Sequence, residues 1–370
     1  MRILVFGITD NPGGIESVIM SYFRHIDRSK FRLDFLCNTE KVAYREEILS
    51  LGSVIYRIPA RSKNYRQYRK AMDAFFSQHV NQYDAIWVNV CSLANIDYLI
   101  YAKKYGIKKR IIHSHNSQNM DSKLRGLLHK FNRNQIGKYA TDFWACSEDS
   151  AEWFYKPDLM KKVVYIRNAI DCSDYLFDPD ARQRIRSAYH LENRFVLGNI
   201  GRLHFQKNQM FMLDILSELR QIDESAYLIL VGQGPDEEKL RDKVNAASLQ
   251  EAVMFAGVQN NIRDWLSSFD VFLFPSLFEG LSLAGLEAQA NGLPALASAG
   301  TMPEEMKVND NWEFYSLEHS PREWAEKLLE IKNGVRRTDT AAAAEAMKSR
   351  GYDIQEEAGK LERLLEGYTE

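Results

Sequence analysis

The sequence predicts an α/β protein with two domains, each built on a parallel sheet. Short apolar runs rich in β-branched residues alternate with amphipathic segments of helical length, which is the pattern of repeated βαβ units. The alternation stops over a polar stretch at 171–193 and then restarts, and a chain of 370 residues has room for two domains. We therefore expect two Rossmann-like domains, at 1–170 and at 171–352.

The elements follow in order along the chain. In the first domain the apolar runs predict strands at 2–6, 33–37, 54–58, 85–90, 110–113, 142–146 and 163–166, with helices between them such as 17–26 and 65–80. In the second domain they predict strands at 195–200, 226–231, 253–255, 271–274 and 294–297, with helices at 209–220, 236–246, 262–267 and 283–291. A last helix near 355–368 has no strand after it, so we expect the segment of about 353–370 to pack back on the first domain.

Composition excludes several classes of protein. With 45% apolar and 26% charged residues the chain is neither disordered nor collagen-like. Its apolar runs are far shorter than a membrane-spanning helix, and Asp10 interrupts the start before a signal-peptide core develops. The widely separated cysteines, Cys37, Cys91, Cys146 and Cys172, predict reduced thiols rather than disulfides or a metal site. We expect a cytoplasmic protein.

Charge is distributed unevenly. Residues 1–170 carry 27 Lys and Arg against 16 Asp and Glu, whereas the remaining residues carry 21 against 34. The basic residues concentrate at 61–70, 103–110 and 123–138. In the last of these stretches basic and apolar residues interleave as on a helix at an anionic membrane surface: Lys123, Arg125, Lys130 and Arg133 with Leu124, Leu127, Leu128 and Phe131. Solvated helix faces remain the alternative, and nucleic acid is not expected because no recognition motif accompanies the charge.

Candidate ligand-binding residues follow the predicted strands, because open parallel sheets bind ligands at the carboxyl ends of their strands. Arg202 and Lys207 follow the strand at 195–200. Together they can bind a diphosphate, because the Arg202 guanidinium is a planar fork of donors and the Lys207 ammonium is a mobile point charge. Glu279 and Glu287 are eight residues apart after the strand at 271–274, where carboxylates can accept hydrogen bonds from sugar or ribose hydroxyls. Surface charge and helix-start acids are the structural alternatives.

The first domain offers two further polar segments. Gly13 and Gly14 precede a helix, so their backbone can approach an anion, although a structural turn also uses glycine and the spacing is not that of a dinucleotide-binding loop. His113 and His115, followed by Asn116, stand at a strand end, which favours a polar or catalytic role over a structural one.

Taken together in this order, the motifs resemble the family-four retaining glycosyltransferases of GT-B fold. The resemblance covers nearly the whole chain and rests on Gly13-Gly14-x-Glu16, His113-Ser-His115-Asn116, Asn168-Ala-Ile-Asp171, Gly201-Arg202 with Lys207-Asn208, Val231-Gly-x-Gly-Pro235 and Glu279-x7-Glu287. It is most similar to bacterial transferases that build capsular, exopolysaccharide or lipopolysaccharide chains. Asn168-Ala169 departs from the commoner Asn-Gly and Leu281-Ser282 from a frequent Phe-Gly or Phe-Pro, which leaves the donor sugar open.

The resemblance implies two domains facing an interdomain cleft and metal-independent, retaining transfer of a hexose from a nucleotide-diphosphate sugar, most simply a UDP-sugar. It implies catalytic roles for His113, Arg202, Lys207 and Glu279. It implies donor contacts from Gly14, Arg202, Lys207, Val258, Glu279, Gly280, Leu281, Ser282, Leu283 and Glu287, with Glu287 on the ribose. On the acceptor side it implies Glu16, His115, Asn116 and Asn168. Which of the two histidines belongs to the site is left open.

The same resemblance implies partners and a location. The acceptor is a glycan or a lipid-linked sugar, the nucleotide sugar is a substrate rather than a cofactor, and no cofactor or metal is expected. A peripheral position at the inner face of the plasma membrane follows from a lipid-linked acceptor. A UDP-sugar 2-epimerase of the same fold and a non-catalytic scaffold of a polysaccharide assembly complex are the alternatives.

Overall fold

The structure, a computed structural model, describes residues 1–116 and 122–367. It divides the chain into two compact units, Met1–Ala169 with Ile354–Glu370 and Ile170–Asp353. Each unit is built on its own parallel sheet, so the predicted α/β class with two doubly wound parallel sheets is confirmed.

The first unit contains seven strands within its described residues. They are β1 Arg2–Phe6, β2 Arg32–Cys37, β3 Ile55–Arg57, β4 Ala85–Val90, β5 Lys109–Ser114, β6 Asp142–Ala145 and β7 Val163–Tyr165, in the sheet order β3-β2-β1-β4-β5-β6-β7. Its helices are α1 Gly14–His25, α2 Arg45–Ser50, α3 Tyr65–His79, α4 Asp97–Tyr105, α5 Lys123–Arg133, α6 Ile136–Tyr139, α7 Glu148–Phe154 and α8 Pro157–Met160. All seven predicted strands are present, with bounds that differ by at most one residue at either end.

The C-terminal helix belongs to this first unit. Helix α16, Ile354–Glu366, buries Leu361 and Leu365 and packs along α1. Its Glu362 accepts a hydrogen bond from the backbone N–H of Asp27 at 2.6 Å, and Lys109 donates to the carbonyl oxygen of Leu364 at 2.7 Å. Residues 368–370 of the segment expected to pack here lie outside the described residues.

The second unit contains six strands within its described residues. They are β8 Phe195–Ile200, β9 Ala226–Val231, β10 Val253–Gly257, β11 Val271–Phe274, β12 Ala295–Ser298 and β13 Trp312–Tyr315, in the order β10-β9-β8-β11-β12-β13. Its helices are α9 Pro179–Ala188, α10 Gln209–Arg220, α11 Glu237–Ala246, α12 Ile262–Ser268, α13 Leu283–Ala290, α14 Pro321–Gly334 and α15 Thr340–Ser349. The edge strand β13 was not predicted, because a glutamate interrupts its aromatic run and only its first residue is buried.

Both faces of the second sheet are buried. Along β8, Val196 and Ile200 pack into one hydrophobic core whereas Phe195 and Leu197 pack into another, as the two-residue period of a strand requires. This burial fixes the ends of the central strands, and the loops that follow them start from rigid positions. No helix formed by residues 1–116 or 122–367 has the length and apolarity to cross a membrane.

Candidate functional site

The strand order of the second unit reverses between β8 and β11, which are neighbours in the sheet. The chain leaves β8 toward β9 on one side and leaves β11 toward β12 on the other, so the two loops diverge and open a crevice at the carboxyl edge. Arg202 and Lys207 lie after β8, and Glu279 lies after β11. The residues predicted from sequence therefore meet at the position where such sheets bind ligands.

Lys207 and Glu279 form a buried ion pair. The Lys207 Nζ lies 2.7 Å from Glu279 Oε1, and the two side chains are only 14% and 6% exposed. The same Nζ lies 5.1 Å from the centroid of the Phe274 ring, which adds a cation–π contact. Both residues were predicted as ligand contacts, each with a different part of the ligand, and their pairing is a finding of the structure.

The two loops are tied to each other by hydrogen bonds. The backbone N–H of Leu277 donates to the carbonyl oxygen of Gln206 at 2.8 Å, and the Gln206 side chain donates to the carbonyl oxygen of Phe278 at 3.0 Å. Asn208, in a left-handed conformation with φ of 57°, donates to the carbonyl oxygen of Pro275 at 3.0 Å. These bonds hold the Lys207 and Glu279 side chains at a fixed separation.

The Val231-Gly-x-Gly-Pro235 segment supports the loop that carries Arg202. A Cβ on Gly232 would lie 2.0 Å from the carbonyl oxygen of Gly201, and a Cβ on Gly234 would lie 2.1 Å from that of Leu203. The backbone N–H of Leu203 donates to the carbonyl oxygen of Gln233 at 3.1 Å. Both glycines are therefore required for close packing, and their role here is structural.

The Arg202 side chain extends from this packed loop into solvent. Its side chain is exposed and forms no ion pair with any residue in the described parts of the chain. An exposed guanidinium beside a rigid loop is suited to bind an anion.

Helix α13 brings backbone donors to the same edge. Ser282 caps the helix by accepting a hydrogen bond from the backbone N–H of Gly285 at 3.4 Å, whereas the first-turn N–H groups of Leu283 and Ala284 point out of the helix end. A Cβ on Gly280 would meet nothing within 4 Å, so there is open space beside this residue. The Leu281 side chain, in contrast, is buried in the core. Any ligand contact of Leu281 is therefore restricted to its backbone.

Glu287 lies one turn further along α13. Burial raises the pKa of its carboxyl to about 7, and a hydrogen bond with Tyr175 opposes that rise. Tyr175 was not recognised in the sequence, because it lies in a short 3-10 helix more than a hundred residues earlier. At neutral pH this carboxyl can accept hydrogen bonds and, in its protonated form, donate one.

Val258 follows β10 at the same edge. Its side chain is 63% exposed, and the preceding Gly257 has a φ of +67° and accepts a hydrogen bond from the N–H of Gly232 at 2.8 Å. Because β10 is two strands from β8, Val258 lies farther along the edge than Arg202.

In the first unit His113 is completely buried. Its Nε2–H donates to the carbonyl oxygen of Ile166 at 3.2 Å, and its ring stacks with Trp87. Burial lowers the pKa of His113 well below its ordinary value, and the neighbouring His115 lowers it further. The expected contact of His113 with a transferred sugar does not fit this placement, because the ring has no surface open to a substrate.

His115 is the half-buried member of the pair. Its Nε2 lies 2.9 Å from the Asn89 Oδ1, and its ring centroid lies 4.1 Å from that of His113. Burial lowers the pKa of His115 to about 4, against a hydrogen bond with Asn168 that raises it, so the ring is neutral at pH 7. The structure thus brings together His115 and Asn168, with the half-buried Asn116 next in the chain.

The Glu16 carboxylate orders the loop after β1. It is buried and accepts hydrogen bonds from the Thr9 N–H at 3.2 Å and from the Thr9 hydroxyl. A Cβ on Gly13 would lie 2.9 Å from Glu16 Oε2, whereas a Cβ on Gly14 would meet nothing within 4 Å. Gly13 therefore lies against the Glu16 side chain, and the expected approach of Gly14 to a ligand stays a prediction.

Helix α5 exposes an apolar stripe. Leu124, Leu127 and Phe131 are 62 to 67% exposed, and Gly126 and His129 on the opposite side are buried. Arg133 departs from the expectation, because its guanidinium donates to the carbonyl oxygens of Glu152 at 2.7 Å and Tyr155 at 2.6 Å and is part of the fold. The exposed basic residues of this helix are Lys123, Arg125 and Lys130.

A search of residues 1–116 and 122–367 finds no group of three or more His, Cys, Asp or Glu side chains arranged to hold a metal ion.

Part of the chain matches a known protein family. Residues 194–333 match the model of the family Glycosyl transferases group 1. Along 97% of its length the chain is 28% identical to EpsF of Bacillus subtilis (strain 168), a glycosyltransferase by assignment, and it covers 95% of that protein. It is 32% identical over 144 residues, 37% of this chain and 36% of the other, to the Escherichia coli UDP-Gal:alpha-D-GlcNAc-diphosphoundecaprenol alpha-1,3-galactosyltransferase.

Solved structures show the same fold. The crystal structure of Anabaena Alr3699/HepE in complex with UDP superposes over 100% of both chains with a TM-score of 0.82 at 18% identity, which confirms the predicted GT-B fold. The resemblance stated from the sequence is likewise confirmed: residues 194–333 match the Glycosyl transferases group 1 model, and the chain is similar to EpsF along nearly its whole length and to the Escherichia coli galactosyltransferase over 144 residues.

Proposed function

We propose that this protein is a retaining, metal-independent hexosyltransferase that moves a sugar from a UDP-sugar to a hydroxyl of a glycan or lipid-linked acceptor in bacterial surface polysaccharide synthesis. The observation that carries the proposal is the buried Lys207–Glu279 pair at the strand-order reversal of the second unit. UDP is favoured because the Anabaena protein is in complex with UDP and the Escherichia coli relative is named for UDP-Gal.

The diphosphate of the donor binds Arg202 and Lys207 in this proposal. Arg202 supplies a planar pair of N–H donors, and Lys207 supplies a point charge. The N–H groups of Leu283 and Ala284 add donors at the positive end of α13. Two cations and a helix end stabilise the negative charge that grows on the leaving phosphate, which is the task that a metal ion performs in other transferases.

Two carboxyl groups bind hydroxyls. Glu279 accepts hydrogen bonds from the donor sugar while its other oxygen orients Lys207, and Glu287 binds the ribose. The backbone around Val258 forms hydrogen bonds with the uracil base of the donor in this proposal. The pKa of about 7 at Glu287 supports this role, because a carboxyl near half-protonation can both accept from and donate to a vicinal diol.

The transfer step requires no protein nucleophile. The acceptor hydroxyl oxygen attacks the anomeric carbon from the face on which UDP departs. The bond from that carbon to the β-phosphate oxygen breaks, and the hydroxyl proton passes to the departing phosphate oxygen. The product keeps the configuration of the donor, and the charge on UDP is neutralised by Arg202 and Lys207.

The first unit supplies the acceptor side in this proposal. Of the two histidines we assign the role to His115, because its ring is neutral and half-buried whereas His113 is sealed in the core. Asn116 and Asn168 accompany it, and Glu16 contributes by ordering the loop after β1. The donor contact predicted for Gly14 remains a prediction of the resemblance.

Helix α5 supports the part of this proposal that concerns contact with an anionic inner leaflet of the membrane. Its exposed stripe of Leu124, Leu127 and Phe131 is flanked by Lys123 and Lys130 on one side and by Arg125 on the other, given 3.6 residues per turn. Apolar side chains that enter the interface beside cations that meet lipid phosphates give a peripheral attachment. The protein is then cytoplasmic and peripheral.

Donor turnover tests the proposal. The protein is incubated with candidate UDP-sugars with and without a diphosphoundecaprenol-linked sugar, and UDP release and the anomeric configuration of the product are measured. Acceptor-dependent UDP release with a retained configuration is expected. Epimer formation without acceptor would instead establish the 2-epimerase alternative, and absence of donor binding would establish the scaffold.

A further inference from the structure

A cavity of about 550 Å³ opens in the second unit at the edge of the sheet opposite to Lys207 and Glu279. Its lining includes Phe195 and Val271, the first residues of β8 and β11, and Pro294, which precedes β12. Because all these strands are parallel, the cavity lies at their amino ends. Its volume is within the range of sites for small molecules.

The lining carries more positive than negative charge. Six cationic side chains face two carboxylates: Arg182, Arg186, Arg194, Lys332, Arg336 and Arg337 against Glu192 and Asp270. Asp270 is already shared, since it pairs with Arg182, lies 3.1 Å from Arg186, and accepts a hydrogen bond from the Val196 N–H at 2.8 Å. The remaining cations are therefore not compensated by this carboxylate.

Arg337 is half-buried and is held by backbone carbonyl groups. It donates to the carbonyl oxygens of Phe269 at 2.8 Å and Asn291 at 3.1 Å, and it lies over the Phe177 ring, but it pairs with no carboxylate within the described residues. Burial and the nearby Arg182 lower the pKa of Arg337 to about 9. An anion in the cavity would offset this unfavourable charge.

Two guanidiniums at the rim keep donors available. To residues within 1–116 and 122–367, the Arg194 guanidinium makes one long hydrogen bond, to the carbonyl oxygen of Glu224 at 3.3 Å, and that of Arg336 makes one to the carbonyl oxygen of Val335 at 3.4 Å. Each guanidinium has five N–H donors, so most of them remain unused. Lys332, in contrast, is held by Asp223 at 2.6 Å.

We propose that this cavity binds a small phosphate-bearing molecule, with the phosphate held by Arg194 and Arg336 and an apolar part against Phe177, Ile331 and Val335. Arg194 and Arg336 both line the cavity, and the fork of a guanidinium matches the charge and the oxygen spacing of a phosphate. The site is separate from the proposed donor site, which lies at the other end of the same strands, and it does not depend on the proposed function.

Titration calorimetry with inorganic pyrophosphate tests the site. With UDP present in excess to occupy the proposed donor site, the wild type and Arg202→Ala should bind pyrophosphate alike, because Arg202 lies at the carboxyl edge and not in the cavity. Arg194→Glu/Arg336→Glu should weaken binding by about tenfold or more. The control Lys239→Glu/Arg350→Glu reverses two exposed charges on residues outside the cavity and should leave binding unchanged.

Three results would overturn the inference: no binding by the wild type, loss of binding in Arg202→Ala alone, or equal weakening in the control. Thermal unfolding accompanies each titration. If the charge reversals unfold the protein, Arg194→Gln/Arg336→Gln replaces them and the same order of affinities is expected. Failure of the proposed function would show separately, as absence of UDP binding at the other edge.

Discussion

Replacing Lys207 by Met removes the counter-charge of a buried carboxylate. The Lys207 and Glu279 side chains are 14% and 6% exposed, and breaking a buried pair by removing one partner costs about 3–5 kcal/mol. We expect the free energy of unfolding of Lys207→Met to fall by about 3 kcal/mol. The double variant Lys207→Met/Glu279→Gln leaves no buried charge and should recover most of that loss.

Donor binding should not recover with stability. Lys207 is proposed to bind the diphosphate directly, through a charge-assisted contact of about 1.5–3 kcal/mol, so both variants should bind UDP about tenfold or more weakly than the wild type. Urea unfolding measures the stability, and calorimetry with UDP measures the affinity. Lys239→Met, which removes an exposed lysine, is the control and should change neither quantity.

Two outcomes would refute this reasoning. If the double variant regains UDP affinity together with stability, Lys207 acts only through the fold. If Lys207→Met loses less than about 1 kcal/mol, the pair does not have the buried character that its exposure indicates.

The remaining predictions concern other parts of the chain. Burial raises the pKa of Glu287 to about 7, so between roughly pH 5 and 7 the carboxyl is ionised in the unfolded chain but still protonated in the folded one. The free energy of unfolding of the wild type should therefore fall by about 1.4 kcal/mol per pH unit over this range, relative to that of Glu287→Gln. Plots of unfolding free energy against pH that run parallel for the two proteins in urea unfolding would contradict this. His113→Phe should lower the free energy of unfolding by about 1–3 kcal/mol, whereas His115→Ala should lower turnover with little change in stability, which thermal unfolding and UDP release distinguish. Leu127→Ser/Phe131→Ser should reduce sedimentation with anionic vesicles at low salt, and an unchanged bound fraction would remove α5 from the membrane proposal. EDTA should leave the rate of sugar transfer unchanged.

Most of the fold could be predicted from the apolar runs that form the strands. Apolar runs such as Val271–Phe274 are buried on both faces, so their composition alone identifies them, and their alternation with helices predicts parallel sheets. The edge strand Trp312–Tyr315 was not predicted, because only Trp312 is buried and the other three residues are partly exposed to solvent. Short edge strands lack the continuous apolar run that marks a central strand.

The residues of the candidate site could be predicted from the sequence better than the contacts between them. Lys207 and Glu279 are 72 residues apart, and they meet only because β8 and β11 are neighbours in the sheet, which local sequence does not encode. For the same reason the sequence did not indicate that Tyr175 reaches Glu287. Arg133 looked like a surface cation because its spacing matches that of Lys130, yet its guanidinium satisfies backbone carbonyls.

A crystal structure of the protein with UDP tests the central claim most directly. The account predicts one UDP at the carboxyl edge of the second sheet, with its diphosphate within hydrogen-bond distance of Arg202, Lys207 and the N–H groups at the start of α13, and with its ribose hydroxyls on Glu287. UDP bound elsewhere, whether in the basic cavity at the amino ends of the strands or in the first unit, with these residues unoccupied, would contradict it.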